Sequence, residues 1–176
     1  MSRDFEELDY QQTPLGELIL RRRIMHSLGG IEIHEVKLGD AFLMSSLFHE
    51  VEVALSHLGL GELEGTDWDV VVGGLGLGYT AVAALEHPEI RSLLVVDALQ
   101  PVIGWHQRGL VPLGTQLTDE ARCRLVEEDF LPLPGRGTAS IRSGPADVST
   151  PFCSISITRL VICFIRATPR FTPPRA

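Results

Sequence analysis

The sequence predicts an α/β fold: an incomplete parallel sheet with flanking helices, preceded by a small N-terminal β-hairpin region. Three observations support this prediction. Residues 68–72 form a short apolar run bounded by turn residues, which is typical of a buried parallel strand. Residues 79–86 form helix readily, and residues 93–96 form a second apolar strand that ends on Asp97. A strand, a helix and a strand in this order predict a βαβ unit with both strands parallel in one sheet.

The length and composition are those of one globular domain. The chain has 176 residues, of which 44% are hydrophobic and 22% charged, close to the average of soluble domains. No apolar run reaches the roughly 20 residues of a membrane-spanning helix, and the acidic start lacks the apolar core of a signal peptide. We therefore expect a cytoplasmic protein without membrane contact. Three cysteines without CxxC spacing indicate reduced thiols.

Charge is distributed unevenly along the chain. Residues 1–130 carry 22 acidic and 9 basic side chains, whereas residues 131–176 carry six arginines and a single acid, Asp147. The acidic character of residues 1–130 argues against nucleic acid as a partner, because these residues repel the phosphate backbone. Seven of the 11 prolines also lie in residues 131–176, so we expect a divergent, partly disordered tail there. The abrupt change suggests a shifted reading frame, an alternative exon or a truncated gene, with a natural divergent C-terminus as the alternative.

Two regions are expected within residues 1–130. Residues 31–38 alternate apolar and polar side chains with period two, which predicts a strand and places a β-strand region at residues 1–40. From residue 43 the spacing changes to three and four, which predicts a helix and places a nucleoside-binding core at residues 41–130. The apolar positions of that predicted helix face are Leu43, Leu47, Val51, Ala54, Leu55 and Leu58.

The most informative segment is the glycine-rich stretch between the first core strand and its helix, residues 73–78. Glycines allow a sharp strand-to-helix turn and let a ligand approach the backbone closely. Asp97 follows Gly78 by 19 residues, at the end of the second strand, where a carboxylate can accept hydrogen bonds from ribose hydroxyls. These features predict a Rossmann-like core that binds an adenosine-containing ligand through Gly74, Gly76, Gly78 and Asp97.

Two ligands fit the glycine motif. Residues 76–81 satisfy the GxGxxG/A pattern of dinucleotide binding, which favours NAD. Residues 74–78 satisfy the GxGxG pattern seen with S-adenosylmethionine, and this register starts the turn closer to the strand. The large side chain of Tyr79 would also lie where the pyrophosphate of a dinucleotide has to approach the backbone closely. We favour the sulfonium ligand and keep an NAD-dependent oxidoreductase as the alternative.

A further motif follows the predicted core. Residues 122–130 read RCRLVEEDF, which resembles the third strand and following acid of the spermidine synthase family, RVRLVVGDAF. Residues 63–130 as a whole resemble polyamine aminopropyltransferases and their class I S-adenosylmethionine-dependent methyltransferase relatives. The resemblance implies that Asp97 holds the ribose hydroxyls, that Asp129 lies beside the adenine amino group and that Phe130 lines the base pocket.

The resemblance also bears on the acceptor side. It implies that His49 and Glu50 correspond to the family's His-Glu pair near the amine site. The family's glycine loop reads GGGDGG, and its aspartate binds an amine of the substrate. In this sequence Leu77 takes the position of that aspartate, and Tyr79 takes the position of the last glycine. The family's fourth strand carries an aspartate that serves as general base, and the single acid after Phe130 lies in a loop-like stretch. No catalytic residue is therefore assigned.

The sequence thus predicts a spermidine synthase-like transferase. It would move a methyl or aminopropyl group from S-adenosylmethionine or decarboxylated S-adenosylmethionine to a small-molecule acceptor, without a metal. A catalytically inactive relative that acts as a binding or dimerisation module is the non-enzymatic alternative, and a homodimer is one option for its assembly. Residues 155–165 predict one strand for the fourth position of the sheet, and Trp105 and His106 are expected on a helix surface, with a position over the ligand pocket as the alternative.

Overall fold

In a computed structural model, the structure describes residues 4–128, 153–157 and 160–165. Asp129, Phe130, Asp147 and most of the predicted tail lie outside these residues. An antiparallel sheet comes first, with strand order β1-β2-β3-β4. Its strands are β1 (Phe5–Thr13), β2 (Gly16–Met25), β3 (Ile31–Leu38) and β4 (Ala41–Ser45), and a 3₁₀ turn at His26–Leu28 joins the second to the third.

The second sheet has strand order β7-β6-β5-β9-β8. Its strands are β5 (Trp68–Gly73), β6 (Ile90–Asp97), β7 (Cys123–Glu127), β8 (Cys153–Ile157) and β9 (Leu160–Ile165). The helices are α1 (Glu50–Gly61), α2 (Tyr79–Leu85), α3 (Gln100–Gln107) and α4 (Gly114–Thr118). The three strands β5, β6 and β7 pair in parallel, which confirms the predicted Rossmann-like arrangement. No helix in the described part of the chain is long and apolar enough to cross a membrane.

The segment predicted as one strand at residues 155–165 belongs to a β-hairpin. Its second strand, β9, pairs antiparallel with β5, so that Val161 lies opposite Gly73. Two residues separate β8 from β9, and so short a link joins antiparallel neighbours, because a parallel pair needs a crossover of a dozen or more residues. The fourth position of the sheet is therefore filled, but by a strand of opposite direction.

The helix predicted from residue 43 begins later, at Glu50. Leu43 lies in β4, which pairs with β3, and this pairing overrides the three- and four-residue spacing because strand pairing is decided by non-local contacts. The predicted apolar face is also wrong. Leu43, Val51 and Leu58 are 40%, 59% and 73% exposed, whereas Leu55 is buried.

One hydrophobic core joins the two sheets. Leu18 and Leu20 of the first sheet pack in the same cluster as Val70 and Val72 of the second. Burying each such side chain contributes about 1.5 to 3 kcal/mol relative to leaving it in water. The first sheet is therefore packed against the parallel sheet and carries its neighbouring segments toward the glycine turn.

A polar contact adds to this junction between β1 and α3. The indole nitrogen Nε1 of Trp105 donates to Oδ2 of Asp9 at 2.6 Å, and Arg108 donates to the same oxygen at 2.9 Å. Burial raises the pKa of Asp9, but the hydrogen bonds from Trp105 and Arg108 outweigh it and leave the pKa lowered. The carboxylate therefore stays charged and fixes α3 against the first sheet.

A buried ion pair fixes the first sheet internally. Glu35 of β3 is 3% exposed, and its two carboxylate oxygens accept hydrogen bonds from Arg21 at 2.6 Å and Arg23 at 2.9 Å. Alternate residues of a strand share one face, so both arginines of β2 reach the same partner. Each guanidinium neutralises part of a charge that would be costly to bury alone.

Candidate functional site

The glycine turn between β5 and α2 requires left-handed backbone at three positions. The φ angles of Gly74, Gly76 and Gly78 are +90°, +50° and +93°, and a residue with a Cβ adopts such angles only under strain. Gly78 immediately precedes the first residue of α2. All three glycines that the sequence marks as ligand-binding candidates are therefore needed by the shape of the turn itself.

Asp97 is joined to this turn by hydrogen bonds. Its Oδ2 accepts from the backbone N–H of Leu75 at 2.8 Å, and its Oδ1 accepts from the backbone N–H of Leu99 at 2.8 Å. Burial raises the pKa of Asp97, and the backbone donors oppose that rise. Two carboxylate oxygens can accept about four hydrogen bonds. Asp97 thus retains acceptor positions beyond those that the two backbone donors use.

His106 contacts the same turn from α3. Its side chain is fully buried, and Nε2 lies 2.9 Å from the carbonyl oxygen of Gly76. A carbonyl oxygen only accepts, so Nε2 carries the proton and Nδ1 carries the lone pair. Nδ1 has no hydrogen-bond partner within the described part of the chain. Burial lowers the pKa of His106, which keeps the ring in this neutral form.

The burial of Trp105 and His106 corrects the expectation of a helix surface. Both side chains are 0% exposed, because α3 lies between the first sheet and the glycine turn. The two sides of the turn are thereby held by neighbouring elements. Asp97 accepts from Leu75, and His106 donates to the next residue, Gly76.

Protein atoms pack closely against two of the glycines. A Cβ added to Gly76 would lie 2.5 Å from Sδ of Met44, which belongs to β4. A Cβ added to Gly78 would lie 2.8 Å from Cδ1 of Leu117 and 2.9 Å from Cε1 of His106. The turn is therefore filled from the side where side chains would project, and a flexible thioether covers Gly76.

His49 reaches the glycine turn through Tyr79. The imidazole and phenol rings are stacked, and Nδ1 of His49 donates to the carbonyl oxygen of Ser46 at 3.0 Å. A carbonyl oxygen only accepts, so this contact requires a proton on Nδ1. Glu50 is exposed, and its Oε2 accepts from the backbone N–H of His49 at 3.1 Å. The structure thus brings His49 to the first residue of α2, while Glu50 contacts the backbone of His49.

By the family resemblance, Leu77 stands at the position of the aspartate that binds a substrate amine. Its side chain is 0% exposed and packs in the hydrophobic core. A buried aliphatic side chain offers no hydrogen bond and no charge to an amine. The turn that would hold a donor therefore lacks a carboxylate at the position where a polyamine would need one.

The strand ends beside Asp97 lie at the same edge of the sheet. The backbone N–H of Glu128 donates to the carbonyl oxygen of Asp97 at 3.1 Å, so the ends of β6 and β7 are adjacent. Asp129 and Phe130, the predicted adenine-side residues, follow Glu128 directly in sequence and lie outside the described residues. Their proposed contacts stay predictions.

The fold is similar to that of solved spermidine synthases. The spermidine synthase from Thermotoga maritima matches with a TM-score of 0.56 at 14% identity, over 70% of this chain and 41% of that chain. A spermidine synthase in complex with the transition state analogue AdoDATO matches with a TM-score of 0.55 at 14% identity, over 68% of this chain and 39% of that chain.

These comparisons define a class of fold. The chain spans about two fifths of the length of the two spermidine synthases, and at 14% identity the likeness shows the fold alone. No protein-family model matches the sequence, and no curated protein matches it. The chain is thus an α/β protein with a spermidine synthase-like fold.

Proposed function

We propose that this chain is a spermidine synthase-like transferase that binds an adenosyl sulfonium donor at the glycine turn of residues 74–78. One observation carries the proposal: Asp97, at the end of β6, is hydrogen-bonded to the turn that follows β5. Open α/β sheets bind their ligands at the carboxyl ends of parallel strands. The similarity of fold to spermidine synthases supports this donor class.

Each residue has a proposed role in holding the donor. Gly74 lets the donor approach the backbone, and Gly76 does so where the flexible thioether of Met44 moves aside. Gly78 supplies the left-handed residue that begins α2. The remaining acceptor positions of Asp97 receive the ribose hydroxyls. Asp129 and Phe130 are proposed for the adenine on the basis of the family resemblance. When bound, S-adenosylmethionine or its decarboxylated form supplies an activated carbon next to a sulfonium sulfur.

The contribution of the protein to the transfer is alignment of the two reactants. Holding a nucleophile and an activated carbon in line replaces an encounter from bulk solution by a reaction within one complex. We propose that His49 and Glu50 face the acceptor, since His49 lies against the first residue of α2. The buried side chain of Leu77 favours a small acceptor without the charge of a polyamine.

Calorimetric titration tests the donor class. We expect binding of S-adenosylmethionine or decarboxylated S-adenosylmethionine, and we expect the D97A variant to weaken it by about 2 to 4 kcal/mol, because hydrogen bonds to a charged group contribute about 1.5 to 3 kcal/mol each. The matched control is D119A, since Asp119 is exposed at the end of α4. Binding of NAD without the sulfonium ligands would favour an oxidoreductase. Absence of binding to all three would favour a non-catalytic module.

A further inference from the structure

The contact between His106 and Gly76 joins a fully buried side chain to the ligand turn. The distance from Nε2 to the carbonyl oxygen is 2.9 Å, and His106 belongs to α3, 30 residues away in sequence. Gly76 has a φ of +50°, so its carbonyl direction is set by a conformation that ordinary residues avoid. A hydrogen bond at this point restrains the left-handed part of the turn.

Only one of the two ring nitrogens of His106 is hydrogen-bonded among the described residues. Nε2–H is used, while Nδ1 is buried without a partner among the described residues. An unpaired buried acceptor is unfavourable, and an apolar side chain of similar size would fill the same space without one. The stability of the core therefore does not account for an imidazole at this place, whereas the bond to Gly76 does.

The ring of His106 also packs closely against the turn. A Cβ on Gly78 would lie 2.9 Å from Cε1 of the ring, so the absence of a side chain at Gly78 lets the turn approach it. On the backbone side, a Cβ on Gly114 would lie 2.7 Å from the carbonyl oxygen of His106, so α4 also approaches this residue closely. The ring thus lies against the turn with its Nε2–H on the carbonyl of Gly76.

We propose that His106 is a positioning residue for the ligand turn: its Nε2–H holds the Gly76 carbonyl and thereby keeps residues 74–78 in the shape that receives the donor. His106 touches neither donor nor acceptor in this role. It complements Asp97, which holds the backbone N–H of Leu75 in the same turn. The effect on donor affinity rests on the function proposed above, whereas the effect on the turn does not.

Two variants separate positioning from packing. H106Q keeps an N–H donor on a flexible side chain, and H106L keeps apolar volume without a donor. Hydrogen exchange is measured at the amide of Leu75, which donates to Asp97, and at the amide of Gly78, which donates to the carbonyl oxygen of Leu75. The amides of Val72 and Val95 in the strands serve as references. In H106L we expect about tenfold faster exchange in the turn, the equivalent of one hydrogen bond, with unchanged references. H106Q should stay within threefold of the wild-type protein.

Other exchange results would overturn the proposal. Wild-type exchange at the turn in H106L is one such result. Equal acceleration at turn and reference amides is another, since it indicates a general loss of stability. If H106L does not fold, nitrogen-15 spectra of the wild-type imidazole decide: a neutral Nε2–H tautomer supports the proposal and an Nδ1–H tautomer refutes it.

Donor titration completes the test. We expect H106L to bind S-adenosylmethionine or its decarboxylated form about tenfold more weakly than the wild-type protein, and H106Q to recover most of that loss. Unchanged donor affinity in H106L would refute the link between His106 and the ligand. If the wild-type protein binds neither compound, the proposed function fails, and the exchange data still decide whether His106 positions the turn.

Discussion

The imidazole ring of His49 lies flat against the phenol ring of Tyr79, with ring centroids 4.0 Å apart and an angle of 16° between the ring planes. The two residues are 30 positions apart and begin consecutive helix regions, since His49 precedes α1 and Tyr79 starts α2. The bulky residue that replaces a family glycine therefore serves as the platform for His49. The stack joins the donor turn to the segment proposed to face the acceptor.

Removing the phenol ring tests the stack. We expect Y79A to lower the free energy of unfolding by about 2 kcal/mol, because it removes an aromatic pair and part of a buried ring. Y79F keeps the stack and loses the hydroxyl, so its loss should stay near or below about 1 kcal/mol. Urea denaturation measures both values. Equal losses in the two variants would assign the effect to the hydroxyl rather than to the ring.

The ion pair inside the first sheet gives a second prediction. E35A removes the acid that Arg21 and Arg23 share, and we expect the free energy of unfolding to fall by about 3 kcal/mol, as for other broken buried pairs. E64A is the matched control, since Glu64 is exposed in the loop before β5, and its effect should stay within about 0.5 kcal/mol. A small effect of E35A would mean that the sheet tolerates two unpartnered arginines.

Stability should depend on pH through two buried histidines. Burial lowers the pKa of both His34 and His106. Below about pH 6.5 the unfolded chain therefore binds protons that the folded protein does not bind. The free energy of unfolding should be highest above pH 6.5 and should fall as the pH drops from 6.5 toward the folded pKa values, by up to about 1.4 kcal/mol per pH unit for each histidine.

Urea titrations between pH 5.5 and 7.5 measure this dependence. The variant H34Q should show a shallower slope than the wild-type protein, since one of the two contributions is removed. H26Q is the matched control, because the side chain of His26 is 70% exposed. An unchanged slope in H34Q would contradict the prediction for that residue.

Catalysis with a polyamine acceptor should fail even where donor binding succeeds. Leu77 offers no carboxylate that could bind an amine. The sequence also assigns no general base, whose assistance typically contributes about 10² to 10⁴ in rate. Purified protein incubated with decarboxylated S-adenosylmethionine and putrescine should form no detectable spermidine, while a parallel titration detects the donor. Robust spermidine formation would show that another acid reaches the site.

Introducing the family's aspartate at position 77, as L77D, should not produce this reaction. Leu77 is fully buried in the core, so L77D places an unpaired carboxylate in an apolar environment and should lower the melting temperature instead. A folded L77D variant that forms spermidine would contradict the placement of residue 77. The difference from the family at this position is thus one of packing as well as of chemistry.

The parallel part of the fold was accessible from the sequence because its signals are local. Short apolar runs, glycines and a terminal acid mark β5, the turn and β6 wherever the rest of the chain lies. The placement of Asp97 at the edge of the sheet follows from the same local order. Its hydrogen bond to Leu75 adds a detail that spacing alone does not contain.

The errors concern features that depend on distant partners. The three- and four-residue spacing from Leu43 favours a helix, but pairing with β3 places residues 41–45 in a strand. The burial of His106 depends on α3 lying against the first sheet, which no local pattern encodes. The run at residues 155–165 is rich in β-branched and apolar residues and contains neither glycine nor proline, so its composition predicts strand without marking a division between β8 and β9.

The reversed direction of β9 changes which residues its neighbourhood can offer to a reaction. In a parallel strand beside β5, the residue after the strand's end would come to the edge of the glycine turn. Here β9 starts at that edge, with Val161 opposite Gly73, and runs away from it until Ile165 lies opposite Asp69. The C-terminal end of β9 therefore lies at the edge of the sheet opposite to the end of β6, where Asp97 is found. A carboxylate that followed this strand would be separated from Asp97 by the length of β5.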